Sequence, residues 1–218
     1  MGDWMIPRIN ESMTPNYFNA IPLAAEPTDF VLKASEKKVI TGLEYFGYPG
    51  KVSVSRDYKV LEHKALKRVK KFILSKVKQY TEDILQIRNQ VCMTQSWSTI
   101  NKKGSSHHEH THPNAFLSLV YYVDCDEKSG DLTFITERSS IQQGYNFNYN
   151  VIKHNVFNAS GWTFQTKPGF ICIFPGHVRH FSSTHDGDRD RIIIGANFFV
   201  EGDIGQLDNT DMMRLDVS

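Results

Sequence analysis

The chain has 218 residues, 40% of them hydrophobic, 22% charged and 12% aromatic, a globular composition at a length that needs only one domain. A chain of this size buries roughly 70% of the surface its unfolded form exposes, so it needs neither disulfides nor a metal merely to fold, and any metal site is to be read as chemistry. With 25 Lys+Arg against 24 Asp+Glu the formal charge is +1, so no overall field draws the protein to nucleic acid or an anionic membrane.

Residues 1–60 are interrupted by Pro7, Pro15, Pro22, Pro27 and Pro49. They read as a wrapping N-terminal region, with extended pieces around Phe18–Leu23 and one short helix near Lys33–Tyr45. The first residues lack the basic start and apolar run of a signal peptide, and Ile6 stands where a myristoylation signal wants Ser or Thr. No apolar run is longer than a strand-sized piece such as Phe170–Phe174, so no membrane span is expected. Cys92, Cys125 and Cys172 form no C-x-x-C pair, which suits a reducing compartment and predicts a cytoplasmic protein without zinc fingers, iron–sulfur clusters or a disulfide framework. The sequon Asn158-Ala159-Ser160 would matter only in a secreted chain and is discounted.

From Glu62 to Leu85 the apolar residues Leu66, Val69, Ile73, Val77, Tyr80 and Ile84 recur every three or four positions, one face of an amphipathic helix. The opposite face carries Lys64, Lys67, Arg68, Lys70, Lys71, Lys76 and Lys78. Without interleaved aromatics this reads as a solvated face, not a nucleic-acid patch.

Beyond residue 87 the period changes to two. Strands are predicted at Val91–Thr99, Phe116–Val123, Asp131–Ile135, Gly161–Thr166, Phe170–Phe174 and Arg191–Val200. Six short strands and one long helix predict a mainly β fold, a sandwich or jelly roll with the helix packed across the outside of one sheet. The whole of 1–218 is expected to be one domain: 1–60 wrapping, 62–86 the supporting helix, 90–200 the jelly-roll core. Residues 136–160 read as an insertion near a pocket. Its Asn- and aromatic-rich part, 142–149, is a candidate lid or an extra surface strand pair, and the tail after Glu201 is expected to be peripheral.

Four of the nine histidines fall within His107–His112, and His177, His180 and His185 follow the apolar strand ending at Phe174-Pro175. In a strand, residues two apart share a face, so His110 and His112 can present imidazoles to one point, and a later strand can bring His180 to it. Three neutral imidazoles, or two with a carboxylate, leave positions open for substrate and oxygen on a non-haem iron. Arg191 follows His180 by eleven positions, with one turn between, and is expected on the neighbouring strand inside the barrel. A buried guanidinium needs an anion; inward strand positions offer no acidic residue, so a bound carboxylic acid fits better than a structural ion pair.

Trp97, Asn101, His110-Thr-His112-Pro113, Ser118-x-x-Tyr121-Tyr122, Gly169-x-x-x-x-Phe174-Pro175, His180, Arg191 and Asn197 occur in that order. Over about residues 90–200 this pattern resembles the iron(II)- and 2-oxoglutarate-dependent dioxygenases, in particular a group found in bacteria and marine phages and related to prolyl hydroxylases. The resemblance implies a double-stranded β-helix with Fe(II), 2-oxoglutarate and O2 as reactants. It implies that His110, His112 and His180 bind the iron. Arg191 would hold the distal carboxylate of 2-oxoglutarate with the help of Tyr122 and Ser118. Asn101 and Asn197 would sit close to the metal, where strand-end hydrogen bonding is their alternative role, and Trp97 would stand beside the site.

His112 departs from the Asp or Glu of the wider superfamily, and Glu109 is the adjacent carboxylate. Strand parity favours His112, since His110, His112, Ser118 and Tyr122 are all even-numbered. The implied reaction hydroxylates a C–H of a peptidyl or amino-acid-like small molecule, releasing succinate and carbon dioxide. Two rival classes remain open: a cupin-like metalloenzyme with a three-His site that does not use 2-oxoglutarate, in which Arg191 would bind substrate, and a non-catalytic protein on a degenerate jelly roll. The latter would be expected to have lost one of His110, His180 and Arg191, and none is lost.

Overall fold

The computed structural model describes residues 21–136, 150–155, 158–205 and 212–217. In chain order the elements are β1 (Ala24–Pro27), α1 (Ala34–Thr41), β2 (Tyr45–Tyr48), β3 (Val52–Ser55), α2 (Lys67–Gln79), β4 (Gln90–Asn101) and β5 (His107–His110). There follow β6 (Leu117–Asp124), β7 (Leu132–Ile135), β8 (Gly161–Phe164), β9 (Phe170–Pro175), β10 (Arg179–Ser182), β11 (Arg191–Ile204) and β12 (Met213–Leu215). All strand pairings between these elements are antiparallel. The large sheet runs β1-β9-β6-β11-β4-β3-β2 with β12 on the far end of β11, and the small sheet runs β5-β10-β7-β8. The fold is mainly β, a jelly roll, as the alternating strands predict.

Alternation along the central strands gives the large sheet two apolar faces. Leu117, Leu119 and Tyr121 of β6, Ile171 and Ile173 of β9, and Ile194, Ala196 and Phe198 of β11 form one cluster with Val69, Ile73, Val77 and Tyr80 of the helix. The helix therefore covers the outer face, as expected. Its α-helical part is shorter than the predicted span: 3-10 turns at Val60–Glu62 and Lys64–Leu66 lead in, and a π-turn, Tyr80–Ile84, closes it with Ile84 exposed. The opposite face carries Val120 and Tyr122 of β6 with Phe170, Cys172 and Phe174 of β9, packed on Leu132 and Phe134 of the small sheet. A cavity lined by residues of both sheets lies between them.

The wrapping region contains more strand than the sequence signals. β1 pairs with β9 and the β2–β3 hairpin with β4, so residues 24–55 flank the large sheet on both sides. These strands have four residues each, β1 and β2 form the edges of the sheet, and all three are too short to show a period. The short helix is present as α1; of the extended piece predicted at 18–23, residues 21–23 lead into β1 without joining a strand, while 18–20 and the candidate lid at 142–149 lie outside the described residues. Among the described residues no helix is long and apolar enough to cross a membrane.

One topological expectation is corrected. β10, which carries His180, pairs with β5 and β7, whereas Arg191 opens β11, which pairs with β4 and β6. The two are not ladder neighbours but face each other across the sandwich. Residues 183–190 cross between the sheets, held by backbone bonds from Ser183 to Asp131, His185 to Ser105 and Asp186 to Lys128. A hairpin and a crossover of this length look alike in sequence, because the ladder partner is chosen by distant strands.

Candidate active site

One cavity between the sheets is lined by Trp97, Asn101, His107, His110, His112, Tyr122, Phe174, His180, Ser182 and Arg191, among others. His110 is the last residue of β5 and pairs directly with His180 of β10. His112 lies beyond the strand end, and strand parity does not place it. Its N–H donates to the Gly176 carbonyl (2.8 Å), which fixes the turn and points the imidazole back. One ligand atom from each of His110, His112 and His180 lies within 4.8 Å of the others, a group able to hold a metal ion. Glu109 points out, is exposed, and pairs with Arg179 at 2.8 Å.

The protonation of the three imidazoles suits coordination. Burial lowers all three: His180 to about 3 and His112 to about 4, with neighbouring imidazoles adding to the effect, and His110 in the same direction. They are neutral at pH 7, the form that binds a cation. His110 Nδ1 lies 2.8 Å from the His108 carbonyl and His180 Nδ1 lies 3.0 Å from that of Val178. A carbonyl only accepts, so both Nδ1 atoms carry the proton and Nε2 is left as the ligand atom. Phe134 and Phe174 pack on the His180 ring at centroid distances of 5.6 and 4.6 Å, and Trp97 lies 5.7 Å from His112. These rings give the imidazoles apolar neighbours. Trp97 reaches this position because Gly195 leaves room: a Cβ there would meet the indole at 2.4 Å.

At the other end of the cavity Arg191 is 1% exposed and has no carboxylate partner among the described residues. Nη1 donates to the Ser129 carbonyl (2.6 Å) and more weakly to that of Ser183, and Nη2 donates to Ser182 Oγ (2.9 Å). Burial works against its charge. Tyr122 is pushed above its ordinary range by burial while the Arg191 charge pulls the other way, so its hydroxyl stays protonated beside the guanidinium. Asn101 stands opposite Arg191 in the β4–β11 ladder; it is buried, and its Oδ1 has no hydrogen-bond partner among the described residues. Rotating that amide would let Oδ1 accept from Thr99, now 3.4 Å from Nδ2, and turn two N–H donors toward the cavity. An uncompensated cation, a phenol and an amide at one end of a cavity, with three neutral imidazoles at the other, fit a metal-chelating molecule that carries a distal carboxylate.

Of the residues singled out from sequence, Trp97, Asn101, His110, His112, Tyr122, His180 and Arg191 meet in this cavity. Ser118 and Asn197 do not line it. Ser118 Oγ donates to Asn197 Oδ1 (2.7 Å), and Asn197 Nδ2 donates to Gln95 (3.1 Å), a bridge across β6, β11 and β4. Sequence reading did not single out Ser182, or His107, whose ring stacks on His110 at 4.4 Å. For Ser182 a signal existed, since it lies two residues after His180 and shares its inward face.

Fold and site together suit a 2-oxoglutarate- and iron-dependent oxygenase. Residues 95–197, which run from β4 into β11, match the family described as "Putative 2OG-Fe(II) oxygenase", and this match gives the enzyme class, an oxygenase with Fe(II) as cofactor and 2-oxoglutarate as cosubstrate. Similar solved structures share the fold at low identity. An oxidoreductase of the 2OG-Fe(II) oxygenase family from Burkholderia pseudomallei is 11% identical, with 81% of this chain and 83% of that one covered and a TM-score of 0.58. A prolyl-4-hydroxylase from Pseudomonas putida is 11% identical, with 84% and 94% covered and a TM-score of 0.53. HygX from Streptomyces hygroscopicus, solved with nickel, 2-oxoglutarate and hygromycin B bound, is 10% identical, with 82% of each chain covered and a TM-score of 0.54. The comparison with curated proteins returns no match.

Proposed function

We propose that His110, His112 and His180 hold the iron, that Arg191, Tyr122 and Asn101 receive the distal carboxylate of 2-oxoglutarate, and that the reaction hydroxylates a C–H of a peptidyl or amino-acid-like small molecule. The observation that carries this reading is a cavity joining three neutral imidazoles to a buried guanidinium that has no carboxylate partner among the described residues. Bound Fe(II) supplies oxygen activation coupled to the loss of carbon dioxide from 2-oxoglutarate, which leaves succinate. The protein's part is to hold the imidazoles neutral, fix the carboxylate with a charge-assisted pair and exclude water with Trp97, Phe134 and Phe174. Ser118 and Asn197 act indirectly, by tying together the strands that carry Tyr122, Arg191 and Trp97.

The substrate class rests on the range the fold accommodates, from a prolyl-4-hydroxylase to a protein that binds hygromycin B. Nucleic acid is not proposed as a partner, because Lys70, Lys76, Lys78 and Arg68 on the helix pair with Glu62, Glu26, Glu82 and Glu36. Three unpaired cysteines support a reducing, cytoplasmic setting, and the whole chain is read as one domain built around this site.

The test is anaerobic addition of Fe(II) and 2-oxoglutarate, which should give a visible charge-transfer band at one equivalent of each. His112→Ala should abolish tight iron binding while Glu109→Ala retains it. Arg191→Gln should weaken 2-oxoglutarate about a hundredfold, since it removes a desolvated charge pair worth on the order of 3 kcal/mol. An iron-loaded protein that gives no band would favour the three-His metalloenzyme that does not use 2-oxoglutarate. Loss of iron in Glu109→Ala, with His112→Ala still binding it, would overturn the ligand set.

A further inference from the structure

The small sheet carries a row of inward side chains level with the imidazoles. His110 pairs with His180, His180 with Phe134, and Phe134 with Trp162, through the ladders of β5, β10, β7 and β8. Side chains that pair directly across antiparallel strands leave the sheet on the same face. Two contacts show which face β8 turns inward: the Thr133 and Thr163 hydroxyls meet at 3.0 Å on the outer one, and Phe164 meets Phe134 on the inner one at a centroid distance of 6.0 Å. Trp162, two residues before Phe164, therefore belongs to the inner face. His180 and Phe134 are buried, whereas Trp162 at the end of the row is 45% exposed. Phe134 makes ring contacts with Phe164, Phe174 and His180 and none with Trp162. β8 is the edge of the small sheet, so no further strand of that sheet covers the indole. An inward tryptophan left open beside a reaction site is a surface for a ligand, because its large ring gains by burial that the protein itself does not provide.

Adjacent strands lie about 4.8 Å apart, which puts the Trp162 backbone about 10 Å from that of His180 and about 14 Å from that of His110. A molecule with a C–H at the imidazoles and another group on the indole must span roughly 10 Å. An extended peptide advances about 3.3 Å per residue and covers that distance with about three residues, whereas a free amino acid is one residue long. β8 reads Gly161-Trp-Thr-Phe and carries no charge, so the seat suits an apolar side chain. We propose that Trp162 is a substrate-binding residue: it receives an apolar side chain about three residues along a peptide from the hydroxylated one, and so selects a peptide over a free amino acid. This rests on the reading of His110, His112 and His180 as the iron ligands of a hydroxylase.

The probe is a library of end-blocked pentapeptides, offered beside the free amino acids to immobilised, metal-loaded protein with 2-oxoglutarate under anaerobic conditions. Retained peptides are identified by mass spectrometry, and oxygen is then admitted to find the hydroxylated position. Retained peptides should share an apolar residue at a fixed spacing from that position, and free amino acids should be neither retained nor hydroxylated. Trp162→Ala should weaken the best peptide about tenfold, the loss of one apolar contact surface, with 2-oxoglutarate affinity unchanged. Trp162→Phe, which keeps an aromatic face, should recover most of that affinity and serves as the test if the alanine variant does not fold. Hydroxylation of a free amino acid, retention of no pentapeptide, or equal peptide affinity in wild type and Trp162→Ala would each overturn the proposal. A parallel loss of 2-oxoglutarate affinity would also overturn it, since the indole would then support the site and not the substrate. A wild-type protein that gives no charge-transfer band with Fe(II) and 2-oxoglutarate would instead refute the underlying reading of the site.

Discussion

His107, His112 and His180 sit where a positive charge is opposed by burial and by one another, and burial brings their folded-state values to between about 3 and 4, against 6.5 for a free imidazole. A group whose folded value is depressed binds fewer protons in the native state than in the unfolded state between those limits, so stability rises with pH over that range. The contribution is fully present above pH 6.5 and is lost as the pH falls toward 4. At pH 5 each such imidazole should cost on the order of 1–2 kcal/mol. The Tm of the metal-free protein should therefore fall between pH 7 and 5, and His107→Asn should flatten part of that fall. Superimposable profiles for the two proteins would show that His107 is solvated. The histidines were legible in the sequence because metal-ligand side chains are few and their clustering is visible without a fold. Ser182 carried only its spacing of two from His180 as a signal, and the partners its inward face meets are chosen by the fold.

At the scale of elements, the crossover between β10 and β11 decides where the guanidinium lies, and the turn before β7 must let it pass. Gly130 in that turn has φ +82°, and a Cβ there would stand 2.4 Å from the Ser183 carbonyl and 2.9 Å from Arg191 Nη1. Gly104 has almost the same φ, +80°, with open space where its Cβ would go. Both alanine substitutions should carry the backbone strain of a left-handed residue, about 1–2 kcal/mol. Gly130→Ala alone should also displace Arg191 and weaken 2-oxoglutarate by tenfold or more. Equal affinities in the two variants would mean that the turn does not hold the guanidinium. The supporting helix and the long central strands were legible because a period needs only length. β1, β2 and β3 were not, because strands of four residues are ordered by their partners.

Across the whole molecule, one sheet separates stability from chemistry. Ile73 is fully buried between the helix and the outer face of that sheet, and the cavity lies on the opposite face. Ile73→Ala should cost about 3 kcal/mol, lowering Tm by roughly 6–12 °C, with 2-oxoglutarate affinity unchanged in the folded protein. A parallel loss of affinity would show that helix packing is transmitted through the sheet.

The sequence by itself determined the mainly β architecture, the helix on its outer face, and the histidine and arginine chemistry, because these depend on periodicity and on rare side-chain types. Tertiary structure alone decided that His112 is placed by the Gly176 carbonyl and not by strand parity, and that Arg191 faces His180 across the sandwich. It also turned Ser118 and Asn197 toward each other instead of the cavity. The physical reason is common to all three: a side chain's chemistry is local, but its partners come from strands far away in sequence, and only the packed sheets select among them.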